Sequence, residues 1–148
     1  MMDMTIKDFF KSANSNIALL ILRIMIGVSF AIHGYPKISS GIEMWTRLGG
    51  AMSHIGIELV PVFWGFWAAF FEFFGGIFLV LGVLTRFASG GLVFTMFIAA
   101  MMHFTNGDPL NKILHPLELF AVCLFFFMSG PGKYSIDHLI SNRWFRNE

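Results

Sequence analysis

PVFWGFWAAFFEFFGGIFLVLGVL, residues 61–84, holds a single ionisable side chain, Glu72, near the middle of an otherwise apolar run. A helix needs about 20 apolar residues to cross the hydrocarbon core of a bilayer, and this stretch is long enough. A carboxylate at that depth is costly unless it faces a partner helix or a polar cavity, so Glu72 is a functional-site candidate by position alone. Around it, Gly65, Ala68, Ala69, Glu72, Gly75, Gly76 and Gly82 fall along one side at about 100° per residue. Small residues let another backbone approach, which makes this the packing face and points Glu72 into a bundle.

Outward from this run, three more apolar stretches read as spans, at residues 17–35, 87–104 and 113–128. The last is short, so it either tilts or begins near Leu110 with Pro116 in its first turns or at a kink. The bulk composition agrees. With 56% hydrophobic and 13% charged residues among 148, there is too little polar surface to solvate a globule. The chain is expected to be one membrane domain, residues 1–148, all-α, a polytopic four-helix bundle with short interfacial helices. The net charge of +1, with basic residues scattered, excludes a nucleic-acid partner. The single cysteine, Cys123, excludes an intrachain disulfide, a CxxC redox pair and a thiolate-rich metal site.

The first span does not read as a cleaved signal peptide: residues 3–16 are long and mixed in charge, Arg23 interrupts the apolar run, and no A-x-A-like site follows. Ahead of it, Ile6, Phe9 and Phe10 interleave with Lys7 and Lys11 at the spacing of a segment lying on the membrane surface. Lys7, Lys11, Arg86, Lys133, Arg143 and Arg146 would share one side of the membrane, against Lys37, Arg47 and Lys112 opposite. Both termini are therefore expected in the cytoplasm. Trp45, Leu48, Met52 and Ile55 recur at helical spacing in the longest link, which predicts an interfacial helix there. The link after the second span reduces to Thr85 and Arg86, which forces a helical hairpin.

Polar residues of the other spans also sort onto faces. Arg23, Gly27, Ala31 and Gly34 form one stripe with His33 at its edge; Gly91, Thr95, Ala99 and His103 form a second; His115, Glu118, Val122 and Ser129 form a third. At about 1.5 Å per residue, Glu72 and Glu118 lie about 16 to 18 Å from the cytoplasmic end of their spans, the three histidines about 21 to 24 Å, and Arg23 about 9 Å. The expected intramembrane polar cluster is thus Arg23, His33, Glu72, His103, His115 and Glu118, with a direct Arg23–Glu72 pair within reach but not implied. Such a cluster has three readings. The side chains satisfy one another and only orient the helices; they form a polar pocket for a quinone head group, where a His or Glu trades protons; or they bind a metal, for which His115 and Glu118 at H-x-x-E spacing are weak candidates because a lone helical H-x-x-E has low specificity. Haem held by two of the histidines ranks behind these. The Phe-rich walls, Phe70, Phe71, Phe73, Phe74 and residues 125–127, suit a quinone and suit plain lipid contact equally.

Other residues have local readings. Gly34 lets the chain leave the first helix, and Lys37 can reach head groups or loop carbonyls. Gly130 and Gly132 around Pro131 end the fourth helix, Tyr134 and Trp144 suit the inner interface, and residues 135–145 read as a short surface helix. Asp137 would cap that helix or pair with Arg86, itself a topology determinant.

In order and spacing, the first span running into His33-Gly34-x-x-Lys37, then Glu72-x-x-Gly75-Gly76, Gly82-x-x-Thr85-Arg86, and the closing Gly130-Pro131-Gly132-x-Tyr134-Ser135-x-Asp137 resemble the DoxX family of small four-helix membrane proteins. The resemblance covers nearly the whole chain. It implies a multi-pass protein of the bacterial inner membrane, described in the family as an oxidoreductase; the family name derives from a terminal quinol oxidase, and related proteins are linked to thiosulfate oxidation with quinone as acceptor or to membrane complexes handling oxidative stress. It transfers no catalytic residue. The expectation is a membrane component of a quinone-linked redox system with a redox or membrane protein as partner; its cofactor is left open, quinone ranking ahead of a metal or haem. The alternatives are a structural or assembly subunit and a small transporter or proton-handling unit, and a homo-oligomer is compatible with each.

Overall fold

A computed structural model describes residues 15–144; the surface segment expected around Phe9 and Phe10 lies outside them. Four helices are long and apolar enough to cross a membrane: α1 (Ser15–Ser39), a second span at Pro61–Leu81, α5 (Thr85–Thr105) and α6 (Leu110–Ser129). The second span is composite, running as α3 (Pro61–Phe70), a π-helical turn (Phe71–Gly75) and α4 (Gly76–Leu81). Between the first two spans sit α2 (Ile42–Gly49) and a 3-10 turn (Gly50–Ile55), and α7 (Ile136–Trp144) closes the described chain. Two ends result: the α2 end, with the links 40–60 and 106–109, and the α7 end, with the link 82–84 and the C-terminal helix.

The bundle is apolar on the outside as well as inside. Ile21, Met25 and Ile32 of α1, Phe87, Phe94 and Phe97 of α5, and Leu117, Phe125 and Met128 of α6 are all exposed. In water such a surface would aggregate; in lipid it is the expected one. The core is correspondingly thin: Phe30, Leu79, Leu92, Met96, Cys123 and Phe126 form one buried cluster.

Helix contacts depend on missing side chains. A Cβ on Gly27 would sit 2.6 Å from the Gly76 carbonyl oxygen, and one on Gly76 would sit 2.6 Å from that of Gly27, so α1 and α4 cross backbone to backbone. Gly49 of α2 and Gly65 of α3 repeat the device, since a Cβ on either would lie 2.8 Å from the other's amide nitrogen. The outer-loop helix is therefore packed onto the second span. The π turn shifts the helical phase by a residue. Gly75 faces Ala88 and Leu92 of α5 while its neighbour Gly76, about 100° round the helix, faces α1.

Three expected boundaries move. The first helix does not exit at Gly34: it runs to Ser39 through Pro36 and ends before Gly41, whose φ is +76°. Gly34 is needed for contact instead, because a Cβ there would lie 2.3 Å from the Phe73 amide nitrogen. The second helix stops at Leu81, where Gly82 adopts φ +68° and Val83 N–H reaches back to the Phe78 carbonyl at 3.1 Å, a Schellman end. Thr85 and Arg86 then belong to the first turn of α5 rather than to the link. The fourth span begins at Leu110 with Pro116 inside it, as the longer of its two sequence readings has it.

Candidate functional site: an ion pair between two cavities

Lys37 sits one turn beyond Gly34 on the same stripe, in the continuation of α1 that the sequence reading had ended. Its Nζ donates to Glu72 Oε2 at 2.5 Å. The Glu72 side chain is 6% exposed and that of Lys37 31%, so the carboxylate is buried and its partner reaches toward the α2 end. The contact at Gly34 sets the geometry: α1 lies directly against the backbone of residues 72–73, and the lysine one turn later arches over the carboxylate. Trp45 Nε1 donates to the Lys37 carbonyl at 3.1 Å and fastens α2 to the same place.

Two cavities share this pair. One, of about 630 Å3, lies between α2, α3 and α5; aromatic side chains Phe63, Trp64, Trp67, Phe71 and Phe94 wall it, with Arg47, Lys37, Glu72, Thr95 and His103 as its polar residues. The other, of about 400 Å3, lies between α1, α5 and α6 and has the larger polar share of the two, through Ser29, His33, Asn111, Lys112 and His115. Lys37, Glu72, Ala99 and His103 line both. His103 is itself fixed: its Nδ1 lies 2.8 Å from Asp108 Oδ2, and Lys112 Nζ lies 3.4 Å from Asp108 Oδ1. The hydrogen bond with His103, helped by Lys112, holds the Asp108 carboxyl below the usual carboxylate range. His54 Nδ1 meets Thr105 Oγ1 at 2.6 Å, tying the 3-10 turn to the end of α5 over the site.

The expected six-residue cluster thus divides. Glu72, His33, His103 and His115 line the cavities; Glu118 and Arg23 do not. Glu118 is exposed, because α6 turns Pro116, Cys123 and Phe126 inward and leaves Glu118 on the far side. His115 and Glu118 therefore do not face one site, and among the described residues no group of three or more His, Cys, Asp or Glu could share a metal ion.

Arg23 belongs to a separate centre at the α7 end. It is 1% exposed; its guanidinium donates to the Pro131 carbonyl and, through Nη2, to the Tyr134 carbonyl at 2.7 Å. Gly82 makes room for it, since a Cβ there would lie 2.8 Å from Arg23 Cζ. Asp137 neither caps its own helix nor pairs with Arg86. Its Oδ1 and Oδ2 accept from Leu84 N–H at 2.8 Å and Thr85 N–H at 2.9 Å, capping α5, while its own N–H donates to the Gly82 carbonyl at 2.9 Å. Ser135 caps α7, accepting from His138 N–H at 3.2 Å. The Gly130–Asp137 segment is therefore a clasp around a buried arginine.

Lys37 as the partner of Glu72 is what the sequence reading missed. The signal was there: Arg23, Gly27, Phe30, Gly34 and Lys37 alternate steps of four and three, a continuous seam if the helix is allowed to pass Pro36.

A family model described as DoxX matches residues 18–105, more than half of the chain. The chain is also 28% identical over 135 residues to a protein named Inner membrane protein YqjF from Escherichia coli (strain K12), covering 87% of this chain and 96% of that one. No solved structure matches.

Proposed function

The chain belongs to the DoxX family of membrane proteins, and from that premise we propose that it is the membrane component of a quinone-linked oxidoreductase system whose paired cavities hold a quinone head group. One observation carries the reading: a buried, lysine-paired carboxylate stands where an aromatic cavity meets a polar one. The larger cavity falls in the range of about 300 to 1,000 Å3 usual for small-molecule sites. A planar ring would lie against Trp64, Trp67, Phe71 and Phe94, and its carbonyl oxygens would accept from Lys37, Arg47 or His103. Reduction of a quinone takes two electrons and two protons. The electrons would come from a partner redox protein, since Cys123 is alone and buried; the protons would come from the titratable groups at the junction.

The test uses the tryptophans in the wall. Titrating the purified protein with a short-tailed quinone should quench its fluorescence saturably, and Trp64→Phe with Trp67→Phe should remove most of the response. Glu72→Gln keeps shape and loses charge; it should weaken binding about tenfold or more, as loss of a charge-assisted contact does, with an unchanged elution profile. Quenching that stays linear in quinone, or that Glu72→Gln leaves alone, would sink the proposal and favour a non-catalytic assembly subunit. The Arg23 clasp, a buried charge answered by main-chain carbonyls, is the observation that supports that second reading.

We further propose one membrane domain in the inner membrane, as the name of the E. coli relative suggests, with both termini in the cytoplasm. A C-terminal fusion to a reporter active only after export should be silent.

A further inference from the structure

The two cavities meet the same carboxylate but differ in what lines them and where they open. Along the smaller one, His33, Asn111, Lys112 and His115 are exposed at the α2 end, and Ser29 lies deeper. It runs from the rim to Glu72 past these polar groups, with Phe30, Met96, Ala99, Pro116 and Leu119 as its apolar side. In the larger one, Phe63, Trp67 and Phe94 belong at once to the wall and to the exposed apolar face. That cavity opens sideways, toward lipid.

We infer that the cavities are two entrances to one ion pair: a water-filled vestibule from the α2 end that lets Glu72 exchange protons with solution, and a lateral, aromatic entrance for the ring. The inference rests on the proposed role of Glu72 as the group that trades protons at the site. Apolar walls keep water out, whereas a space lined by several donors and acceptors holds ordered water; the aromatic cavity sets its polar groups beside much the more extensive apolar wall. The vestibule offers Ser29, His33, His103, Asn111 and His115 as water partners. The charged groups facing Glu72 are Lys37 from α1, Arg47 from α2 and, when protonated, His103 from α5; Lys112 of α6 and Asp108 lie at the rim. A proton arriving from solution would pass along water between His115, His33 and His103 to a Glu72 oxygen. Once neutral, Glu72 no longer holds the Lys37 ammonium, which is free to turn to an acceptor in the aromatic cavity. The proton side and the ring side then communicate through one side chain, and bulk water stays away from the ring.

Accessibility tests this without any quinone. On a Cys123→Ala background, Ser29→Cys and Ala68→Cys place a thiol in the vestibule and in the aromatic cavity, and Ser53→Cys is an exposed control. A charged methanethiosulfonate reagent should modify the Ser29→Cys thiol at least about tenfold faster than the Ala68→Cys thiol, because a charge enters an apolar cavity at high cost. A neutral, lipid-soluble maleimide should reach both. Equal rates with the charged reagent, or protection of Ser29→Cys while Ser53→Cys reacts, would overturn the vestibule. A second measurement needs no substitution. A water-soluble carbodiimide should join Lys37 to Glu72 as an amide, seen as the loss of one water in the linked peptide; failure to form that link, with surface carboxylates modified, would also overturn it. Water access without saturable quinone quenching would leave the vestibule standing and remove the quinone reading alone.

Discussion

Two charges are buried in the spans of this protein, and the protein treats them differently. Arg23 is answered by main-chain carbonyls, which do not titrate or move independently, and is packed tightly against the Gly82 backbone. Glu72 is answered by a lysine on a flexible stem, with open space on two sides. An ion held by fixed dipoles in a filled site is a fastener. An ion held by a movable counter-ion beside cavities can change state, so the site that is less completely packed is the one with chemistry open to it.

The contrast is broken most directly at Arg23. Arg23→Leu leaves the Pro131 and Tyr134 carbonyls without their donor and releases the clasp, and its cost should be the largest of any substitution considered, at least about 3 kcal/mol. The expected result is a large fall in thermal midpoint in detergent and proteolysis within residues 130–144. Arg23→Lys should recover less than half, since one ammonium does not span two carbonyls as a guanidinium does. Next comes Lys37→Met, which leaves the buried carboxylate alone and should cost about 3 kcal/mol, the lower part of the range for a broken buried pair because Lys37 is part-exposed. Combining it with Glu72→Leu should restore most of the loss, as removing both charges often does. If the double variant stays as unstable as the single one, the pair is not the source of the effect. A mild Lys37→Met beside a severe Arg23→Leu would sharpen the contrast.

How far the sequence carries one toward this arrangement depends on the kind of signal. The spans follow from hydropathy, which is local, and the small-residue faces follow from helical periodicity. The cluster did not follow, because periodicity gives a face but not its partner. Glu118 shares a face with His115 at i+3, yet Pro116, Cys123 and Phe126 take the interior and carry Glu118 outward. Lys37 was lost to the habit of stopping helices near Gly and Pro; in lipid the pull of close packing at Gly34 outweighs the missing N–H of Pro36. The π turn at Glu72 has no sequence mark at all. Asp137 read as a cap, correctly in kind, but of a helix that begins more than fifty residues earlier.

A smaller effect is expected at the glycine crossings, which fix the distance between the two charged centres. Gly76→Ala puts a methyl 2.6 Å from the Gly27 carbonyl oxygen, and backbone cannot step aside as a side chain can. The cost should be about 1 to 3 kcal/mol, the range for overpacking. Gly75→Ala, one residue away, meets nothing nearer than 3.6 Å and should be close to neutral. Comparing the midpoints of these neighbours separates the two contacts: adjacent residues point about 100° apart, so Gly76 meets the α1 backbone while Gly75 makes only ordinary contact with α5.

The smallest effect lies at the rim. Hydrogen bonding to His103 lowers the Asp108 pKa, so folding favours the ionised carboxylate. The stabilisation is therefore complete above the ordinary carboxylate range and is lost as pH falls through the lowered folded value. Asp108→Asn removes that dependence. The difference in thermal midpoint between the unaltered protein and the variant should be present at about pH 7 and should close only as pH falls below the ordinary carboxylate range. Because Asp108 lies at the surface, the difference should be slight, and salt should diminish it. Its use is as a boundary marker. If the vestibule begins at this rim, neutralising Asp108 should also alter the rate at which a charged reagent reaches the thiol of Ser29→Cys, whereas the thiol of Ala68→Cys, approached from the lipid side, should not respond.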